Sequence, residues 1–445
     1  MILQHKKHSI QREAPGGCYA QSMQPAKLLQ PGYFDAFQCL GSACEDTCCV
    51  GWIVHVDKPT YDKYQNCSDG QLGSSLRTLV TINENGSNDD DYAQIVFNQT
   101  GCPFLADGLC SIQQRLGEGY LSNMCATYPR VMNRVDDVLQ RSLDLSCPEA
   151  ARVALLNPSP MQFDESEYQD GSIRPGNFPS LDTSGLNDSP EPFRFFRDVR
   201  RIVISLLQNR SYPTWKRLFM LGCVCEKLDE IGGRGRHQNA ANVIREYIDS
   251  LNNGTLDNLV AHCAANPAAQ LEVVLELIVA RISSDFNPPR FLECYREFMS
   301  GIQWTSKSTM DEIGGRYAEA YSQHYLPFMS RHEHILEHYL VNYAHRTLFP
   351  FGLPESNQRL RDDRVPSPVA AQYMLMIASY AITQTLLIGV AGFHKSAFGV
   401  DHVVKLIQSC TKTFEHSLTF PGRAIQMLAG KTMTTPASLC VLIQN

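Results

Sequence analysis

From Phe193 onward the apolar residues of this 445-residue chain recur every three or four positions, the repeat of helices that bury one face. Clear cases are Phe193 to Leu207, Trp215 to Leu221 and beyond, Ala268 to Ala280, and Asp311 to His345. Together they predict a bundle of nine or ten helices over 193–445, and the lack of an internal repeat of fixed period argues against a solenoid. The longest uncharged run, Val365 to Phe393, has the length of a bilayer span. Gln372, Ser379, Thr383, Gln384 and Thr385 interrupt it, however, and Pro366 and Pro368 mark its start, so it is expected to be a helix buried in protein.

Upstream the pattern changes. Residues 33–157 mix short extended runs with turns and brief helices: a helix opening at Asp57 with Pro59 in its first turn, a polar loop from Asn83 to Asp91, and a strand over Tyr92–Phe97. A hairpin-type turn at Ala106, Asp107 and Gly108 should return Cys110 towards Cys102. A strand over Val138–Leu145 should then deliver Cys147 to the cap of a helix running from Pro148 to Leu156. Residues 158–192 are rich in Pro, Ser, Asp and Gly and read as a linker or long surface loop, and residues 1–32 as a flexible N-terminal extension. The expected fold class is mainly α: a cysteine-rich α+β N-terminal region with short strands, followed by a helical bundle.

Composition narrows the chemistry. The chain is 43% hydrophobic and 19% charged, with a net charge of -7 and scattered Lys and Arg, which offers no nucleic-acid footprint and no membrane surface. The first thirty residues contain no apolar stretch suited to a signal peptide, so a reducing cytoplasm is expected. That matters because there are 16 cysteines, ten of them within residues 1–147. Eight form an ordered array: Cys39, Cys44, Cys48, Cys49, Cys102, Cys110, Cys125 and Cys147. Four thiols within eleven residues, two of them adjacent, suit a multi-thiolate site better than disulfides. Soft thiolates select iron–sulfur clusters or zinc, and eight exceed one four-ligand site, so spacing alone leaves both open. Cys18 and Cys67 lie outside the array, while Cys223, Cys225, Cys263, Cys294, Cys410 and Cys440 sit in apolar helical stretches where a thiol packs as a small hydrophobe.

The residues around the thiols carry more than spacing. Phe37 and Cys39, Cys44-Glu45-Asp46 with Cys48-Cys49 and Gly51-Trp52, Cys102-Pro103-Phe104-Leu105, Asp107-Gly108-Leu109-Cys110, Cys125 with Tyr128-Pro129-Arg130, and Ser142 through Cys147-Pro148-Glu149 to Arg152 follow in order. This series resembles the FliB-type flagellin lysine N-methylases across the whole N-terminal region. The likeness continues more distantly at Glu337 to Tyr343 and at Leu348 to Phe351. It implies methyl transfer from S-adenosylmethionine to ε-amino groups of flagellin lysines, and an iron–sulfur cluster, 4Fe-4S in type, held by the cysteine-rich region. A different class stays open: a metal-chelating or electron-transfer module with structural zinc or iron.

No donor site is legible. A dinucleotide-type glycine turn between strand and helix is missing, and the glycine cluster from Ile231 to Arg236 follows a helix, as an interhelical turn does. The three-cysteine spacing of radical S-adenosylmethionine enzymes is incomplete, since Cys44 and Cys48 are followed by Gly51. Methyl transfer could therefore involve donor bound at a cluster iron, or direct displacement by a neutral lysine amine beside a structural cluster. Candidates to contact donor or lysine are Tyr128, Arg130, Asp144 and Glu149, polar residues within the cysteine motif; Glu149 equally suits a helix first turn. His334 and His338 have helical ligand spacing, with His332 and His345 nearby, but two histidines alone do not make a site. Oligomeric state is not encoded in any of these features.

Overall fold

The computed structural model describes residues 27–50, 52–84, 86, 88–97, 101–168, 178–183, 191–233, 240–261, 263–283 and 288–445. Among them, the periodic region downstream of Phe193 forms ten helices of eleven residues or more, following an N-terminal region of short strands and brief helices, as the pattern requires. The long uncharged run becomes one helix, Pro368–His394, with nearly every residue buried. By length and composition it could cross a membrane, yet 94% of its most apolar stretch is packed inside protein. Its polar positions have protein partners: Gln372 donates to Asn357 at 2.9 Å, and the Gln384 amide oxygen accepts from Asn445 at 2.9 Å. Backbones meet where Gly301 of the helix Pro289–Gly301 faces Gly389; a Cβ on Gly301 would lie 1.8 Å from the Gly389 carbonyl oxygen, so only glycine fits.

Ten strands are present among the described residues: β1 (Lys27–Pro31), β2 (His55–Val56), β3 (Val80–Ile82), β4 (Ala93–Ile95), β5 (Leu105–Ala106), β6 (Leu109–Cys110), β7 (Arg130–Val135), β8 (Val138–Leu143), β9 (Phe163–Glu167) and β10 (Ser180–Leu181). They form a five-stranded mixed sheet in the order β10-β7-β8-β1-β9, a three-stranded sheet β2-β4-β3, and the hairpin β5-β6. Two expectations change here. Lys27–Pro31, placed in a flexible extension, is instead a strand parallel to β8 and antiparallel to β9. Phe163–Glu167 and Ser180–Leu181, placed in a linker, also join that sheet. Both errors have one cause: strand pairing between residues 46 to 140 positions apart leaves no local periodicity. The rest of 1–32, Cys18 included, lies outside the described residues, as do 234–239 of the glycine cluster, whose preceding helix runs to Gly233.

The helix Glu333–Arg346 ties this sheet to the bundle through polar side chains. Asn342 donates to the Leu143 carbonyl at 3.1 Å and accepts from the Tyr33 hydroxyl, while the His345 Nε2–H donates to the Arg141 carbonyl at 2.9 Å. Asn133 in turn donates to the Arg346 carbonyl at 2.9 Å. These are β7 and β8, the strands that lead into Asp144 and Cys147.

Candidate metal centre

Four thiols of the array, Cys102, Cys110, Cys125 and Cys147, are placed by identifiable devices. Asp57 caps the helix Lys58–Gln65 by accepting from the Thr60 amide at 3.0 Å, and its second oxygen accepts from the Asn123 amide at 2.8 Å. One buried carboxylate therefore fixes the start of two helices, the second of which carries Cys125; the Ser122 hydroxyl accepts from the Cys125 amide at 3.3 Å. The hairpin turn forms at Asp107 and Gly108, both at positive φ, and pairs Leu105 with Cys110. The Cys102 amide donates to the Cys49 carbonyl at 2.9 Å, and Gly101 (φ 123°) allows that approach, since a Cβ there would lie 2.6 Å from Val50. Cys147 is the residue before Pro148 at the head of the helix Pro148–Leu155.

These devices bring Cys48, Cys49, Cys102, Cys110 and Cys125 to the wall of one cavity of about 90 Å³, otherwise lined by apolar and aromatic side chains such as Trp52, Val54, Ile95, Leu121 and Tyr128. Cys39, Cys44 and Cys147 form an adjacent group, near enough for Cys39 to raise the thiols of Cys44, Cys147 and Cys48. Burial is the largest influence on Cys102 and Cys147, pushing them up to about 12 and about 11. Backbone N–H groups oppose it: that of Phe104 at Cys102, those of Ile112 and Gln113 at Cys110, and those of Glu149 and Ala150 at Cys147. Hydrogen bonds aimed at sulfur from turns and helix starts favour thiolate, and a cationic metal held there would act in the same direction. In the adjacent pair the Cys48 thiol donates to Cys49, which raises Cys48 and lowers Cys49, with Thr47 and Lys412 further favouring charge on Cys49. Among the described residues no three His, Cys, Asp or Glu side chains close to the spacing of a single bound ion. Five thiols line the cavity walls, Cys48 and Cys49 as a hydrogen-bonded pair.

The loop bearing Cys44, Cys48 and Cys49 is fastened to the helical region by the two acids of its motif. Glu45 pairs with Arg152 and lies 3.5 Å from Arg290. Asp46 accepts from Lys412 at 2.8 Å and from Gln408 at 2.7 Å, and Gln408 also donates to the Ser146 carbonyl at 2.7 Å. Lys412 lies on a π-helical turn, Thr411–Glu415, that follows the helix Val400–Cys410. Just beyond it His416 stacks on Trp52, ring centroids 5.1 Å apart, and Trp52 packs edge-on against Tyr128 at 4.5 Å.

The four polar candidates separate accordingly. Tyr128 and Asp144 meet through Ser146, whose hydroxyl is 3.0 Å from the Tyr128 oxygen and whose amide donates to Asp144 at 2.9 Å. Asp144 is buried, which alone would raise its carboxyl. His416 at 3.2 Å and Arg346 at 3.6 Å outweigh that and hold it well below the usual carboxylate range. Arg130 lies over the Phe37 ring and Glu149 pairs with Arg152 at 3.1 Å, so neither joins this network. His338 is buried with Nε2 at 3.0 Å from the Ser159 carbonyl, His345 docks the sheet, and the helical-region cysteines are buried except Cys263, which is partly so. Sequence reasoning missed Gln408, Lys412 and His416. Their signal was available: polar residues every fourth position on an otherwise apolar helix face.

Residues 200–442 match the family described as the FliB lysine N-methylase C-terminal domain. The chain is 31% identical over 149 residues to the flagellar biosynthetic protein FliU of Salmonella muenchen, covering 33% of this chain and 86% of that one. It is 30% identical over 144 residues to the lysine-N-methylase of Salmonella typhimurium, and 30% identical over the same length to that of Salmonella choleraesuis. In each of those two the match spans 32% of this chain but only 36% of the relative. No solved structure matches.

Proposed function

The chain belongs to the FliB lysine N-methylase family, and from this membership and the thiol cavity we propose that it is a protein-lysine N-methyltransferase. Its substrate is the ε-amino group of lysines on a flagellar protein, flagellin in the first instance, and its methyl donor is S-adenosylmethionine. The donor set suits a polynuclear iron–sulfur group held from among Cys48, Cys49, Cys102, Cys110 and Cys125, with Cys39, Cys44 and Cys147 alongside. The observation that carries this reading is the spread of five thiols around a walled cavity, with backbone N–H groups at the sulfurs of Cys102 and Cys110.

When bound, such a group supplies a rigid multi-thiolate cross-link and, where an iron is open, a Lewis-acidic position. The chain's own residues exclude water from it with Trp52 and Tyr128 and anchor its loop through Asp46 to Lys412. Methyl transfer itself needs the lysine amine as the free base, since its ordinary value is near 10.4. The reading predicts that protein purified without oxygen carries iron and acid-labile sulfide and methylates purified flagellin, read as 14-Da mass increments. Cys48→Ala and Cys125→Ala should lower the iron content. A colourless protein holding zinc alone, or an iron-loaded protein inert on flagellin, defeats it.

A further inference from the structure

A second cavity, of about 440 Å³, lies between the helix Phe196–Leu207 and the β8-β1-β9 side of the large sheet, and shares no lining residue with the thiol cavity. Its volume lies in the range of small-molecule sites, roughly 300–1,000 Å³. Arg200 lines it and is only 4% exposed. A guanidinium has five N–H donors, and Arg200 uses three: one to the Gln140 amide oxygen, one to His345 Nδ1, and one to the His345 carbonyl at 2.7 Å. All three acceptors are neutral; His345 accepts at Nδ1 because its Nε2–H is donated to Arg141. Two donors are left over, and the buried Nε has no partner among the described residues.

Among the described residues, every other charge at this cavity is already matched. Arg197 pairs with Asp137 at 2.5 Å, Arg201 lies 3.6 Å from Asp198, and Glu165 pairs with Lys27 at 2.5 Å. Among the described residues Arg200 has no carboxylate beside it, and burial alone pushes it down to about 9, so it remains cationic at neutral pH. An uncompensated buried cation is costly unless an anion completes it. Two aromatic rings stand with it: Phe196, over which the guanidinium lies at 5.4 Å, and Phe163, packed on His345 at 4.7 Å.

We propose that this cavity is the methyl-donor site, taking a carboxylate-bearing amino acid joined to a flat nucleobase, with the carboxylate on Arg200 and the base against Phe163 and Phe196. The inference rests on the reading of the chain as an S-adenosylmethionine-dependent methyltransferase, and goes further by separating the donor from the thiol cavity. Transfer is then direct displacement. The lone pair of a neutral lysine Nζ attacks the methyl carbon, the N–C bond forms as the S–C bond breaks, and the released electron pair neutralises the sulfonium. The surplus proton on nitrogen passes to solvent, and no oxidant or reductant is required.

Calorimetry of the anaerobically purified full chain tests this with S-adenosylmethionine itself. Arg200→Met should weaken binding about 10- to 100-fold, the loss of a charge-assisted hydrogen bond. Arg200→Lys should weaken it less, and Cys48→Ala should leave it within about threefold, a margin well below one lost hydrogen bond. Because Arg200→Met could fail to fold, 8-azido-S-adenosylmethionine photolabelling of the unaltered protein gives an independent reading, with label expected in peptides covering Phe163 or Phe196. Binding that disappears in Cys48→Ala but survives in Arg200→Met, label confined to residues 39–54 or 101–128, or displacement by equimolar sulfate would each overturn the donor assignment while leaving the methyltransferase reading standing. Absence of any donor binding by the unaltered protein would instead defeat that reading itself.

Discussion

The thiol region and the helical region keep their shape by different means. Residues 52–127 pack a core of twelve buried residues, from Val54 to Leu121, on strands of two or three residues and helices of ten or fewer. The helical region packs a single continuous core that runs from the face of the large sheet to Ile443 around the helix Pro368–His394. A core as small as the first removes little apolar surface from water and leaves such a unit marginal, whereas the second needs no covalent or metallic help. The difference teaches what the proposed group would add: held by the thiols, it would be to the small region what apolar burial is to the large one, a part of its folding energy.

Variants can sharpen that contrast. The largest single-residue effect should fall in the helical region, where Arg217 and Glu337, each 1% exposed, pair at 3.0 Å and Arg210 adds a second contact at 2.8 Å. Glu337→Ala leaves the buried Arg217 guanidinium with the partly exposed Glu333 at 2.9 Å as its remaining carboxylate, and should cost about 3 kcal/mol in urea unfolding of the full chain, with or without bound metal. If the loss instead depended on metal content, the two regions would not be energetically separate.

At the seam, Asp144→Asn removes the carboxylate shared by His416 and Arg346 and should cost about 2–3 kcal/mol at neutral pH. Because the folded carboxyl lies below its unfolded value near 3.9, its contribution is present above that pH and is lost as pH falls through the folded value. The unaltered protein should therefore lose stability more steeply than the variant below about pH 4, and equal slopes would remove Asp144 from the account. The smallest effect belongs to the thiol region: Asp57→Ala deletes two amide caps, costs about 1–2 kcal/mol, and should speed hydrogen exchange at the Cys125 amide. Unchanged exchange at Cys125 would mean that its helix is held by something else.

How much of this the chain disclosed in advance depended on the range of the interaction. Asp57 before Pro59, Asp107-Gly108 between two short strands, and Cys147 before Pro148 act within a few residues, and each stands where the pattern puts it. The buried helix Pro368–His394 was legible for the same reason, its uncharged length being a local property. β1 was not, because Leu28 becomes a strand residue only by pairing with Leu139 and Ser166. The motif acids Glu45 and Asp46 were visible in the sequence, but their partners Arg152, Arg290, Gln408 and Lys412 are separated from them by 107 residues or more. Arg200 was hidden most deeply, since an arginine on an amphipathic helix reads as a solvent-facing residue until its neighbours Gln140 and His345 are known.

The dependence of the small region on its thiols is tested most directly by hydrogen exchange on anaerobically purified protein before and after the bound metal is removed with a chelator. Protection should collapse at amides across 52–127, the Cys102 amide among them, while those of the helix Pro368–His394 keep theirs. Equal protection in both states at Cys102, or loss spread evenly over both regions, would contradict the account.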